Sequence, residues 1–170
     1  MHPATEILIK ALEEKSFVLN ACDYAERGYH FEIDLKVDQL RPFVQSMLDE
    51  QMYLVFVGGL HVSPAIEIIY QFANYERPCR IVLRVAVDSN NTIPTISDIY
   101  QGANWHERET RDFYGVTFTD HPNLIPLILA EEDVDLKPLL KNGDDLKESA
   151  AVRWVTVEEQ PEMDEKADKD

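Results

Sequence analysis

MYLVFVGGLHV (residues 52–62), AIEIIYQFANY (65–75) and RIVLRVAV (80–87) follow one another with only Ser63-Pro64 and Glu76-Arg77-Pro78-Cys79 between them. All three are rich in Val, Ile, Leu and aromatic residues. In the second, Ile66, Ile68, Tyr70 and Phe72 recur at every other position; in the third, Ile81, Leu83, Val85 and Val87 do the same. Such alternation places one set of side chains on one face of a pleated strand. The links are short enough for antiparallel hairpins. The spacing therefore predicts a three-stranded meander with one buried face, and Gly58-Gly59 reads as a bulge or bend in its first strand.

Working outward, Tyr29 to Leu35 alternates in the same way and predicts another strand, and Ser16 to Cys22 reads as a short one. Helical spacing flanks them. Residues 5–15 carry Ile7, Leu8, Ala11 and Leu12 on one stripe. Asp38 is placed to cap a helix running to about Gln51, with Leu40, Phe43, Val44, Met47 and Leu48 on its apolar side. Thr95 to about Phe113 also reads as helix, through Ile96, Ile99, Tyr100 and Ala103. The expected fold class is α+β: a two-layer domain with a mainly antiparallel sheet of about four strands packed against helices, followed by an extended proline-containing strap. Residues 1–118 are expected to form the core domain, including the helix that ends near Phe113. Residues 119–145, with Pro122, Pro126 and Pro138, lack clear periodicity and read as a strap laid across something. Residues 146–170 read as an acidic flexible tail in which only 152–157 could form structure.

Bulk composition excludes several classes of function. The chain has 170 residues and a net charge of −16, so nucleic acid and anionic lipid headgroups would be repelled. Ala130 to Asp170 alone holds 14 acidic and 6 basic residues, a net of −8. No apolar run approaches the roughly 20 residues that span a bilayer. The acidic N-terminal stretch argues against a signal peptide. Cys22 and Cys79, with no C-x-x-C spacing, do not make a zinc or iron–sulfur site and read as thiols in a reducing compartment.

The densest chemistry lies in Trp105-His106-Glu107-Arg108-Glu109-Thr110-Arg111-Asp112-Phe113-Tyr114-Gly115, followed by His121-Pro122-Asn123-Leu124. On a helix, Glu107/Arg111 and Arg108/Asp112 are pairs four apart, each contributing about 0.2–0.5 kcal/mol if merely solvated. That bland role leaves Trp105, Phe113 and Tyr114 unexplained. A structural hub accounts for more. Arg108 can fork onto a carboxylate or onto backbone carbonyls. The aromatics supply the large amphipathic area favoured in interfaces. Gly115 would end the helix in a left-handed conformation, and His121-Pro122 would set the chain's exit. Two other readings compete: a small metal-dependent hydrolase using His106, Glu109 and His121, and an acidic module whose tail recruits basic partners.

The pattern Glu107-Arg108-Glu109-x-x-Asp112-Phe113-Tyr114-Gly115-Val116-x-Phe118-x-x-His121-Pro122-x-Leu124, led in by Ala103-Asn104-Trp105 and followed by Pro138-Leu139-x-Lys141, resembles a known signature. It is that of the 30-kilodalton, or C-type, subunits of respiratory complex I (NADH-quinone oxidoreductase) and of related energy-converting membrane-bound [NiFe] hydrogenases. The resemblance covers about residues 5–145. It implies a non-catalytic peripheral-arm subunit that binds the large hydrogenase-like (D-type) subunit of such a complex, beside neighbouring iron–sulfur subunits, on the cytoplasmic side of the cell membrane. It implies no cofactor in this chain, with iron–sulfur clusters and a flavin or [NiFe] centre in partner subunits, and electron transport to quinone or protons coupled to ion translocation by the whole complex. Trp105, Glu107, Arg108, Glu109, Asp112, Phe113, Tyr114, Gly115, His121, Pro122 and Leu124 would then be the partner-binding or structural signature. Members often follow His-Pro-x-Leu with an arginine pair; Ile125-Pro126 stands there in this chain and favours a divergent branch such as a hydrogenase.

Overall fold

The structure, a computed structural model, describes residues 6, 9, 10, 12, 13, 15, 17–76 and 78–152. Helical residues between 6 and 13 precede β1 (Asn20–Ala21), α1 (Tyr24–Arg27), β2 (Phe31–Leu35), α2 (Val37–Asp49), β3 (Tyr53–His61), β4 (Ile66–Asn74) and β5 (Cys79–Ala86). Then come β6 (Thr92–Pro94), α3 (Ala103–Tyr114), β7 (Thr117–Thr119) and a last helical turn, α4 (Ser149–Val152). The fold is α+β, as expected.

β3, β4 and β5 pair antiparallel in sequence order, as their short links require. β2 lies beside β5 and runs parallel to it, and β1 pairs antiparallel with β2. The sheet order is thus β1-β2-β5-β4-β3, five strands rather than about four. Its register turns the alternation into cross-sheet rows. Ile33, Leu83, Tyr70 and Val57 form one row, and Phe31, Ile81, Phe72 and Leu54 the next. The stripe of α2 (Leu40, Phe43, Val44 and Met47) is wholly buried in the same core. Each such side chain contributes roughly 1.5–3 kcal/mol by leaving water.

Three local expectations need correction. The N-cap of α2 is Lys36, with Asp38 in the first turn. The Gln39 side chain accepts the Lys36 N–H at 3.0 Å, which fixes the start two residues earlier. The register shift in β3 falls between Leu54 and Phe56, not at Gly58-Gly59. Those glycines leave space for rings: a Cβ on Gly59 would lie 2.6 Å from the Tyr114 ring, and one on Gly58 would strike Phe56. Finally, α3 starts at Ala103 rather than near Thr95. The Thr95 N–H bonds Thr119 O at 3.0 Å, extending the two-stranded parallel clip of β6 and β7, so the chain stays out of helix there.

Residues 120–148 include two 3-10 turns, Glu131–Asp133 and Gly143–Asp145. The segment runs back over its own domain. The Leu139 N–H bonds Phe113 O, the Lys141 N–H bonds His61 Nδ1 at 3.0 Å, and the Ser63 N–H bonds Lys147 O. The Ser149 hydroxyl reaches Glu67 on the outer sheet face at 2.5 Å. There Arg84 lies between Glu32 (2.5 Å) and Glu67 (3.5 Å), balancing charges that are nearly buried. The expected flexible tail from 153 onward lies outside the described residues. No helix among the described residues is long and apolar enough to cross a membrane.

Candidate functional site

Helix α3 presents three ionisable side chains inward, each with a different job. Glu107 is fully buried. Its Oε1 accepts the Ile96 N–H at 2.8 Å and its Oε2 meets the Thr95 hydroxyl, which in turn bonds Ser97 at 2.8 Å. Arg41 of α2 holds this same loop from outside, through Thr95 O and a two-pronged contact with Asp98 at 2.7 and 2.8 Å. Burial pushes the Glu107 carboxyl up to about 7, against the lowering effect of its Ile96 and Thr95 bonds. His121 Nε2 lies 3.7 Å from Glu107 and 3.3 Å from Asn104 O. Its Nδ1 accepts the Asn123 N–H, so the ring proton sits on Nε2. Burial lowers the His121 pKa, opposed by its Asn104 bond and reinforced by Arg108. Both groups therefore favour their neutral forms, and their contact is not an ion pair.

Arg108 and Asp112, one turn apart, grip the strap. Arg108 donates from Nε to Ile125 O at 3.0 Å and from Nη2 to Pro126 O at 2.9 Å. Asp112 is fully buried, and its Oδ2 accepts the N–H groups of Leu127, Ile128 and Leu129 at 2.8, 2.8 and 3.1 Å. Arg111 closes on Oδ1 at 3.1 Å. Burial raises the Asp112 pKa, but the three N–H donors and Arg111 win, and the carboxyl is held below its ordinary value. The pairings expected from helix spacing, Glu107 with Arg111 and Arg108 with Asp112, do not form: Glu107, Arg108 and Asp112 are claimed by distant segments, and Arg111 turns to its neighbour Asp112. Of the two forks open to Arg108, the structure shows the one onto carbonyls.

The remaining signature residues shape the surface. Gly115 ends α3 with φ of 73° and its N–H on Arg111 O. Tyr114 covers Gly59, and Leu124 packs partly against the core. Trp105 is 69% exposed. With His106, Glu109, Leu127 and Ile128 it lines an open cleft of about 640 Å³. Glu109 also lines a second cleft of about 180 Å³, with Phe56, Phe113, Tyr114 and Leu139. Pro122 and Asn123 border a third beside Trp105 and Arg108. Phe56, Ile125, Ile128 and Leu139 are also substantially exposed, so this is a broad apolar face around one helix.

The metal-hydrolase reading fails on geometry. His121 is turned inward to Asn104 and Glu107, whereas His106 lies edge-on to Phe56 beside the cleft. Among the described residues no three His, Cys, Asp or Glu side chains are grouped to hold a metal. Sequence reasoning missed Thr95, Ile96 and the 127–129 amides, whose roles depend on contacts that no local period encodes. Neither Cys22 nor Cys79 forms a disulfide, and Cys79 is buried.

The sequence model described as "Respiratory-chain NADH dehydrogenase, 30 Kd subunit" matches residues 33–148. The C subunit of the F(420)H(2) dehydrogenase of Methanosarcina mazei is 35% identical over 139 residues, covering 80% of this chain and 75% of that one. The C subunit of the NADH-quinone oxidoreductase of Roseiflexus sp. (strain RS-1) is 41% identical over 87 residues, 51% of this chain; the match spans about half of that relative, 49%. A relative in Buchnera aphidicola, named as a combined C/D subunit of NADH-quinone oxidoreductase, is 35% identical over 83 residues, 48% of this chain and 14% of that one. Among solved structures, a chain of an archaeal respiratory membrane complex, the membrane-bound sulfane sulfur reductase, superposes with a TM-score of 0.69. It covers 87% of this chain and 88% of its own length at 24% identity, a likeness of fold. The match over well more than half of the chain, and over the strands, helix and strap just described, makes this chain a member of the respiratory-chain NADH dehydrogenase 30 Kd (C-type) family.

Proposed function

We propose that this chain is a non-catalytic peripheral-arm subunit of a membrane-bound respiratory oxidoreductase. In that role it binds and stabilises a large, hydrogenase-like subunit of the D type. The observation that carries the reading is the division of labour in α3. Its buried ionisable groups are spent on the chain's own strap and loop, and the result is a braced face bearing Phe56, Trp105, Ile128 and Leu139. Aromatic and aliphatic anchors on a rigid platform suit a protein partner. The combined C/D name of the Buchnera relative supports a D-type occupant. Redox centres (iron–sulfur clusters, with flavin or a [NiFe] centre) are assigned to partner subunits, and electron transfer to quinone or protons, coupled to ion translocation, to the whole assembly. The chain would then meet the membrane only through the complex, from the cytoplasmic side.

Co-expression with a large D-type partner tests this. Trp105→Asp and Leu139→Asp place charges on exposed positions, so the chain itself folds. Each is expected to weaken co-purification at least about tenfold, the scale of an interface hot spot. Retention of both variants at wild-type level would remove this face as the interface.

A further inference from the structure

A further cleft lies at the end of the sheet where β3 begins and β4 ends, and no residue of α3 lines it. The register sets His30, Arg80, Ala73 and Tyr53 in one cross-sheet row. His30 exchanges backbone and ring bonds with Arg80 (2.9 and 3.0 Å), Arg80 pairs with Ala73, and Ala73 pairs with Tyr53. Paired residues project to the same face. Here the row has a large ring at each end, an arginine, and a methyl group in the gap. Each end ring is doubled by stacking: Tyr24 on His30 (centroids 4.5 Å, 28° between planes) and Tyr53 on Tyr75 (4.3 Å, 16°). Between the stacks is a cleft of about 390 Å³.

The arginine is the telling group. Arg27, Arg41, Arg84, Arg108 and Arg111 all reach acceptors of the chain. Arg80 stands apart: among the described residues its exposed guanidinium meets no acceptor, although the chain is strongly acidic. A planar five-donor fork left open beside two ring stacks suits a ligand with a flat π-system and a phosphate or carboxylate. The volume falls within the range of small-molecule sites.

We propose that this cleft binds a small planar aromatic anion of mononucleotide type, its ring laid against the tyrosine stacks and its anionic group on Arg80. The site is independent of the partner face around Trp105. The test uses the full chain with adenosine monophosphate as probe, and with adenosine and inorganic phosphate as separate arms, read by amide chemical shifts and calorimetry. Saturable shifts at Ala73, Asn74, Cys79 and Arg80 are expected with the nucleotide. Each half-ligand should bind about tenfold more weakly or worse. Arg80→Gln should weaken the nucleotide about tenfold and leave adenosine unchanged. Tyr75→Ala, at a position 86% exposed, should weaken both nucleotide and adenosine. Trp105→Asp should leave binding intact, which separates this site from the partner face. No saturable binding of the nucleotide, or equal affinity in wild type and Arg80→Gln, overturns the proposal.

Discussion

Replacing Asp112 interrogates the clamp directly. Its Oδ2 is the common acceptor of three consecutive amides, and the carboxylate is fully buried. A hydrogen bond to a charged group contributes about 1.5–3 kcal/mol when its partner stays buried. Leu127 and Leu129 are only partly shielded as residues and Ile128 is exposed, so water recovers part of each bond. Asp112→Ala should therefore cost about 3–5 kcal/mol, short of the simple sum. Asp112→Asn keeps one carbonyl acceptor but sets an amide NH2 group near Arg111, and should cost about 1–2 kcal/mol. Denaturant unfolding of the purified chain measures both values, and hydrogen exchange at Leu127, Ile128 and Leu129 localises them. The pH dependence has a definite sign. A carboxyl held below its ordinary 3.8 stabilises the fold above that value, and the contribution disappears as pH falls through the lower folded pKa. Unchanged exchange at the three amides in Asp112→Ala would refute the clamp, whatever the global stability.

Other consequences can be measured as readily. Glu107 rises from 4.5 to about 7, so the folded chain holds a proton there that the unfolded chain releases; stability falls as pH rises through that window, by about 3 kcal/mol. Glu107→Gln should abolish this component, and a wild-type and variant difference that stays flat between pH 4.5 and 8 would count against it. Gly59→Ala should cost about 1–3 kcal/mol by driving a methyl into Tyr114, whereas Gly102→Ala, with φ of −60° and open space around it, should be neutral or slightly stabilising in thermal melts. Arg108→Lys keeps the charge but loses the fork, so proteolysis within 123–130 should accelerate while unfolding by denaturant changes by less than about 2 kcal/mol.

What the sequence disclosed follows from the range of each interaction. The β3–β4–β5 meander was legible because its alternation and short links are local. The place of β2 was not, since a parallel strand inserted beside β5 after a crossover leaves no periodic trace. Gly58-Gly59 marked a special backbone position, yet the reason was the Tyr114 and Phe56 rings rather than a bulge. Asp38 was the better capping residue by type, but Gln39 reached back to Lys36. The signature helix is legible at its C-terminal end, where Gly115 is decisive. Its start lies eight residues later than the spacing suggests, because the Thr95 N–H is taken by Thr119 and its hydroxyl by Glu107 and Ser97. Glu107, Arg108 and Asp112 stand out as a unit in the sequence, although their partners come from elsewhere in the chain.

From the strap, Arg108 and Asp112 take main-chain atoms only, and this sets a grammar for it. Ile125 and Pro126 offer carbonyls, which any residue supplies, so the exchange of the family's frequent arginine pair for Ile-Pro leaves both contacts available. Positions 127, 128 and 129 must each donate an amide hydrogen, and proline is therefore admissible at 126 but not at the next three. Between 125 and 129 the clamp leaves the side chains open to change to suit whatever lies against them, within that limit on proline. Adding or removing a single residue between β7 and Leu127 would shift every carbonyl and amide out of phase with α3.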